Sequence, residues 1–109
     1  MRVTRSLLQR LPKVELHCHL DGSLRVETIL DLAEKDGVQL PTTDLDRLRK
    51  NLVVGEKRGS LEDYIARFDI TLSVMQTPES LERCAYELIE DVAKENVRYI
   101  EIRYSPILH

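Results

Sequence analysis

Two segments of the chain alternate apolar and polar residues, and four stretches of helical periodicity lie between them. In Lys13-Val14-Glu15-Leu16-His17-Cys18-His19-Leu20, the residues Val14, Leu16, Cys18 and Leu20 share one side. Lys13, Glu15, His17 and His19 take the other, the period-two pattern of a strand with one covered face. Val97-Arg98-Tyr99-Ile100-Glu101-Ile102-Arg103-Tyr104 reads as a second strand, stopped by Ser105-Pro106. The first helix is predicted over about Val26 to Lys35, with Val26, Ile29, Leu30 and Ala33 on one face and Gly37 as its stop. Pro41-Thr42-Thr43 is predicted to open a shorter helix running to about Leu52, and Gly55-Glu56-Lys57-Arg58-Gly59 has the composition of a loop. Ser60 is predicted to cap a third helix, with Asp63 in the capping-box position and a stripe of Leu61, Tyr64, Ile65, Phe68, Leu72 and Met75. The fourth starts at Thr77-Pro78-Glu79, buries Leu81, Cys84, Ala85, Leu88, Ile89 and Val92, and ends near Asn96.

Strand, helices, strand is the order of a parallel crossover, here with extra helical pieces inserted. Two parallel strands cannot make a sheet buried on both faces. The expectation is therefore an α/β fold in which residues 1–109 form the amino-terminal, incomplete part of one larger domain. Helical additions after a strand often build the wall of a pocket.

Composition narrows the function classes. With 42% hydrophobic and 32% charged residues the 109-residue chain has the make-up of a folded soluble protein. A formal net charge of −3, with basic residues scattered among acids, gives no reason to expect binding to nucleic acid or to a membrane. Four Tyr, one Phe and no Trp do not make a base-stacking platform. Cys18 and Cys84 form no CxxC pair, which suits a reducing compartment, and no apolar run reaches the length of a membrane span. Met1 to Arg10 lacks the apolar core of a signal peptide, so the expected location is cytoplasmic.

The chemistry concentrates at the end of the first strand. Residues i and i+2 of a strand face the same way, so His17 and His19 point together, Asp21 continues their parity and Cys18 turns away. Two imidazoles and a carboxylate at one strand end can serve a hydrolytic metal ion such as zinc. On the HxH pattern alone, a pair of partly buried histidines bonded to backbone carbonyls explains the residues equally well. Asp21-Gly22 is likewise a common turn dipeptide, and the stripe on the third helix has the form of an ordinary core face. Glu15, Glu101 and Arg103 share the parity of His17 and His19 and are expected to form ion pairs, with one another or with later strands. The fourth helix is assigned wholly to packing against the sheet, and His109 is assigned no role.

The run Leu11-Pro12-Lys13-Val14-Glu15-Leu16-His17-Cys18-His19-Leu20-Asp21-Gly22-Ser23-Leu24 resembles the start of adenosine deaminases, members of the metal-dependent amidohydrolase superfamily. The likeness continues through Glu27-Thr28-Ile29-Leu30 and Phe68-Asp69, and resumes at Tyr99-Ile100-Glu101-Ile102-Arg103-Tyr104-Ser105-Pro106. It departs at Val26, where relatives often carry Pro.

This resemblance implies the N-terminal part of a (β/α)8 TIM barrel, with two parallel strands and about four helices between and around them. It implies one zinc ion per active site, His17 and His19 as two of its ligands, and Asp21 as the carboxylate that meets the ribose 5′-hydroxyl. Leu61, Tyr64, Ile65 and Phe68 match the family's lid over the substrate. The implied reaction is hydrolytic deamination of adenosine and deoxyadenosine to inosine and deoxyinosine with release of ammonia, a step of purine salvage, on a small-molecule purine nucleoside.

The catalytic acid and base groups of the family, with its third His and its Asp ligand, match no residue of this chain, so residues 1–109 alone are expected to be inactive. Relatives acting on free adenine or on an aminodeoxyfutalosine-like nucleoside tend to carry Glu at the position of Asp21, and such a sister deaminase is the alternative. A third possibility, of another class, is a non-catalytic segment acting only in assembly or binding through its unpaired strand edges.

Overall fold

Both predicted strands form and pair in parallel as one two-stranded sheet, β1 (Lys13–His19) with β2 (Val97–Arg103). The fold is a computed structural model that describes residues 2–53 and 61–109, the side chains of Asp63 and Tyr64 excepted. Five α-helices accompany the strands: α1 (Arg5–Arg10), α2 (Val26–Asp36), α3 (Leu45–Leu52), α4 (Leu61–Ser73) and α5 (Pro78–Lys94). A 3-10 turn over Pro106–Leu108 follows β2. The arrangement is the opening portion of a (β/α)8 barrel, one helix richer than expected. The predicted Gly55–Gly59 loop and the Ser60 cap lie outside the described residues.

Local chemistry explains the boundaries. Gly37 takes the left-handed conformation (φ 67°) that ends α2, its N–H bonded to the Ala33 carbonyl. α5 begins with a reciprocal cap, in which Ser80 N donates to Thr77 Oγ1 at 3.1 Å and Thr77 N donates to Ser80 Oγ at 3.2 Å. Pro78 follows at the first position, where no amide partner is lost. α3 starts later than predicted. Thr42 Oγ1 accepts from Asp44 N and holds the segment in a turn, and Asp44 Oδ1 then caps the helix by accepting from Arg47 N at 2.8 Å.

α1 was not anticipated from the sequence. It is a single polar turn and a half, without a buried residue, held by Thr4 Oγ1 accepting from Leu7 N. Asn96, at φ 62°, makes the tight link between α5 and β2. Its side chain donates to Arg10 O at 2.6 Å and its carbonyl accepts from Lys13 N, so one residue ties both strand starts to α1.

The core lies between the helices and one side of the sheet, formed by Leu20, Ile29, Leu32, Ala33, Leu48, Val74, Met75, Cys84 and Leu88. Cys18 and Ile102 pack against it from the strands. The expectation that helices cover the whole apolar side of β1 fails at its amino end, where Val14 and Leu16 are exposed. The pairing register slips between Lys13 and Val14 and again between Glu15 and Cys18, so strict alternation does not run the length of the strand. The helical layer lies beneath the carboxyl end of β1, where Cys18 and Leu20 meet the core. Burial of the Cys84 thiol, reinforced by the negative charge of Glu87 and only partly opposed by Arg83, pushes it up to about 11.

α5 does more than pack on the sheet. Arg25 donates to Asp91 Oδ1 at 2.8 Å and Oδ2 at 3.0 Å, Arg83 bridges Glu87 at 2.9 Å and Asp31 at 3.0 Å, and Thr28 Oγ1 donates to Glu87. These bonds fasten α2 against α5. Burial pushes the Glu87 carboxyl up, but the hydrogen bonds from Thr28 and Arg83 and the charges of Arg83 and Arg25 outweigh it and leave the group below its ordinary value. Asp91 is also lowered, first by its hydrogen bonds from Arg25.

A lowered carboxyl stabilises the fold above its unfolded value and loses that contribution as pH falls through the folded one. Stability is therefore expected to decline as pH drops below about 4.5, the ordinary value for Glu87. Thermal melts across the acidic range check this, with the Glu87→Gln variant showing a shallower decline; an unchanged slope would remove Glu87 from the account.

Candidate functional site

β1 delivers its last residues to the rim of the sheet and turns away at once. Leu20 N bonds to Arg103 O at 3.0 Å, the last rung of the ladder, and Leu20-Asp21-Gly22-Ser23 then folds back on the strand. Gly22 N donates to His19 O and Ser23 N to Leu20 O, while Ser23 Oγ also donates to the His19 carbonyl. The turn fixes where Asp21 stands relative to the two histidines.

His17 and His19 project together. Their Nε2 atoms are 3.1 Å apart and their ring centroids 5.1 Å, with the planes tilted by 58°. Both residues are exposed, and Cys18 between them faces the core, its sulfur 3.3 Å from Ser23 Oγ. Glu15 Oε1 accepts from His17 N at 2.9 Å and Arg103 Nη2 donates to Leu16 O at 3.2 Å, which steadies the backbone that carries the rings. Two nitrogens bound to one tetrahedral zinc at about 2.0–2.1 Å stand roughly 3.3 Å apart, so the observed convergence fits a shared cation. Among the described residues no group of three or more His, Cys, Asp or Glu side chains could hold a metal ion. The pair is a partial donor set.

Asp21 sits beside them and is buried, 7% exposed. Its Oδ1 lies 3.8 Å from His19 Nδ1, too long for a hydrogen bond, and has no partner among the described residues. It opens on a cavity of about 300 Å³ lined by Leu24, Val26, Ile29, Leu52, Phe68 and Thr71 among others. Gly22 forms part of the same wall, and a Cβ there would stand 3.5 Å from Phe68 Cε1. Phe68 in turn meets the His19 ring edge-on at 6.4 Å between centroids. The cavity thus runs from the Asp21-Gly22 turn, past Val26 and Ile29 of α2, to Arg67, Phe68 and Thr71 of α4, with Phe68 as its contact to His19.

The expected lid divides. Phe68 lines the cavity, Leu61 and Ile65 are exposed at 71% and 55%, and the side chain of Tyr64 lies outside the described residues. Further along the stripe Met75 is fully buried, while Leu72 is only partly so. α4 begins as a solvent-facing helix and enters the core at its end.

Of the two pairings expected for Glu15, Glu101 and Arg103, with one another or with later strands, the first does not form among the described residues. Glu101 accepts from Tyr99 Oη at 2.8 Å, and Glu15 and Arg103 bond to the β1 backbone. His109 is half-buried, its Nδ1 3.1 Å from Met75 O and its ring against Tyr104.

The residue that sequence reasoning missed is Arg67. It lines the cavity, and its Nη1 is buried with no hydrogen-bond partner among the described residues. The available signal was its place one helical turn before Thr71 on the flank of the apolar stripe, where a cation borders residues that face inward.

Residues 12–109 match the family model described as Adenosine deaminase. The chain is similar to an "Adenosine deaminase" of Clostridium perfringens strain SM101, 55% identical over 102 residues, which covers 94% of this chain and 31% of that protein. Among solved structures it resembles an adenine deaminase from Arthrobacter aurescens, with a TM-score of 0.78 and 31% identity over 90% of this chain and 29% of that one. An amidohydrolase from Burkholderia ambifaria with bound Zn also gives a TM-score of 0.78 and 31% identity, covering 99% of this chain and 29% of that one. The chain therefore spans about a third of the length of the proteins it matches.

Proposed function

The chain belongs to the adenosine deaminase family, and from that premise we propose that it supplies the first strand and substrate wall of a zinc-dependent deaminase of adenosine and deoxyadenosine. Residues 1–109 are on this reading one piece of a larger barrel that provides the remaining ligands and the acid–base groups. The observation that carries the proposal is the convergence of His17 and His19 Nε2 at 3.1 Å, next to Asp21, whose carboxylate lines the cavity with Oδ1 lacking a hydrogen bond among the described residues.

His17 and His19 would hold the ion through Nε2, which leaves Nδ1–H of each ring as a donor. When bound, the metal supplies the acidification of water that hydrolysis of an aromatic amine requires at neutral pH. The chain's own residues bind and orient. Asp21 accepts a hydrogen bond from the sugar 5′-hydroxyl, and the apolar walls Leu24, Val26, Ile29 and Phe68 surround the ligand and exclude water. Phe68, between the cavity and His19, sets the distance from the sugar end to the metal end. On this reading Leu61, Tyr64 and Ile65, from the first turns of α4, close over bound substrate.

The test is a substrate panel on the metal-loaded protein that contains this segment, followed by loss of ultraviolet absorbance. Adenosine and deoxyadenosine are expected to be turned over well and free adenine poorly. Preference for adenine would favour the second reading, which the likeness to an adenine deaminase supports; inertness toward all three would sink both.

A further inference from the structure

The cavity contains two polar atoms without partners and of opposite character. Asp21 Oδ1 is an anionic acceptor and Arg67 Nη1 a cationic donor, both buried, both unbonded among the described residues. They line one cavity yet form no ion pair with each other among the described residues. The remaining polar side chain on the wall, Thr71, is already satisfied, its hydroxyl donating to Phe68 O at 3.1 Å. Among the described residues every other side chain facing the space is apolar.

A carboxylate and a guanidinium left apart in an apolar cavity each carry a desolvation cost that pairing would relieve. A ligand group that donates to one and accepts from the other relieves both at once. A hydroxyl does this, since it has one O–H to donate and two lone pairs to accept with. A phosphate dianion suits Arg67 but has no proton for Asp21 and would be repelled by it.

From this pairing we infer that Arg67 is a specificity-determining residue, donating to the oxygen of the same sugar hydroxyl whose proton Asp21 accepts. The site thereby selects a neutral nucleoside over both the free base and the 5′-nucleotide. The inference rests on the nucleoside reading above and adds the donor half of the hydroxyl site. Arg67 comes from α4 and Asp21 from the turn after β1, so the substrate hydroxyl would join two elements that line the same cavity.

The experiment compares adenosine, 5′-deoxyadenosine and AMP as substrates of the full, metal-loaded protein and its R67Q and R67K variants. In the unaltered protein adenosine is expected to be preferred over both others. R67Q is expected to raise KM for adenosine on the order of tenfold, the scale of one charged hydrogen bond, while leaving kcat and the rate on 5′-deoxyadenosine nearly unchanged. R67K, which keeps a donor, is expected to recover part of the loss, and it serves alone if R67Q does not fold.

An unaltered protein inactive on adenosine would sink the nucleoside reading itself. Activity with equal effects of both variants on adenosine and 5′-deoxyadenosine would overturn only the role of Arg67. Efficient turnover of AMP that R67Q abolishes would overturn it in favour of an anion anchor.

Discussion

Replacing His17 by Ala in the protein that carries this segment is expected to remove bound metal and lower kcat/KM for adenosine by roughly three orders of magnitude. A metal ion contributes several kcal/mol to a hydrolytic transition state, and each factor of ten corresponds to about 1.4 kcal/mol. The two Nε2 atoms stand 3.1 Å apart, so removing either ring leaves the ion without one corner of its coordination. His19→Ala should match His17→Ala in size, and the double variant should be little worse than either, since groups that act as one unit lose their function together. Neither ring belongs to the core, so circular dichroism and thermal melting should change little. Metal content by mass spectrometry and rate on adenosine are the paired measurements. A His17→Ala protein that keeps its metal and its rate would remove the histidine pair from the site.

The elements that the sequence made legible are those whose signals are local. Thr77-Pro78 at the start of α5 and Gly37 at the end of α2 act on the turn they belong to, so their positions could be read directly. The strand parity that brings His17 and His19 together is equally local over its two-residue span, and the rings do meet. What depended on longer reach was lost. The slip of register between Glu15 and Cys18 arises from pairing with β2, about eighty residues away in the chain, and no local signal announces it. The ties of Arg25 to Asp91 and of Thr28 to Glu87 exist only once α2 and α5 are laid side by side. Arg67 was missed for the same reason: its significance comes from what it fails to bond in three dimensions.

The exposed Val14 and Leu16 on β1 show that packing, too, is a property of the assembled layers. Their apolar side chains satisfy strand alternation, but the described helices cover only the carboxyl half of the strand. The half that is covered is the half that carries His17 and His19. Leu20 and Cys18, anchored in the core, hold the strand end rigidly beneath the histidines.

Replacing Asp21 by Ala is expected to separate activity from stability in opposite directions. A carboxyl group 7% exposed, with one oxygen lacking a hydrogen bond among the described residues, destabilises the ligand-free fold. Removing it should therefore leave the melting temperature unchanged or raise it by a few degrees, as is common where a site has been built at the expense of stability. The same change strips the sugar hydroxyl of its acceptor in a largely apolar cavity, so kcat/KM for adenosine should fall roughly 100-fold, the scale of a buried hydrogen bond to a charged group. Free adenine, which has no sugar, should be handled as before, and the preference for adenosine over adenine should shrink by the same factor. Asp21→Asn keeps an acceptor oxygen without the charge and should fall between the two in rate while gaining the same stability. If Asp21→Ala instead melts well below the parent protein, the carboxylate is a structural partner of the turn after β1, and its place in substrate recognition is lost with it.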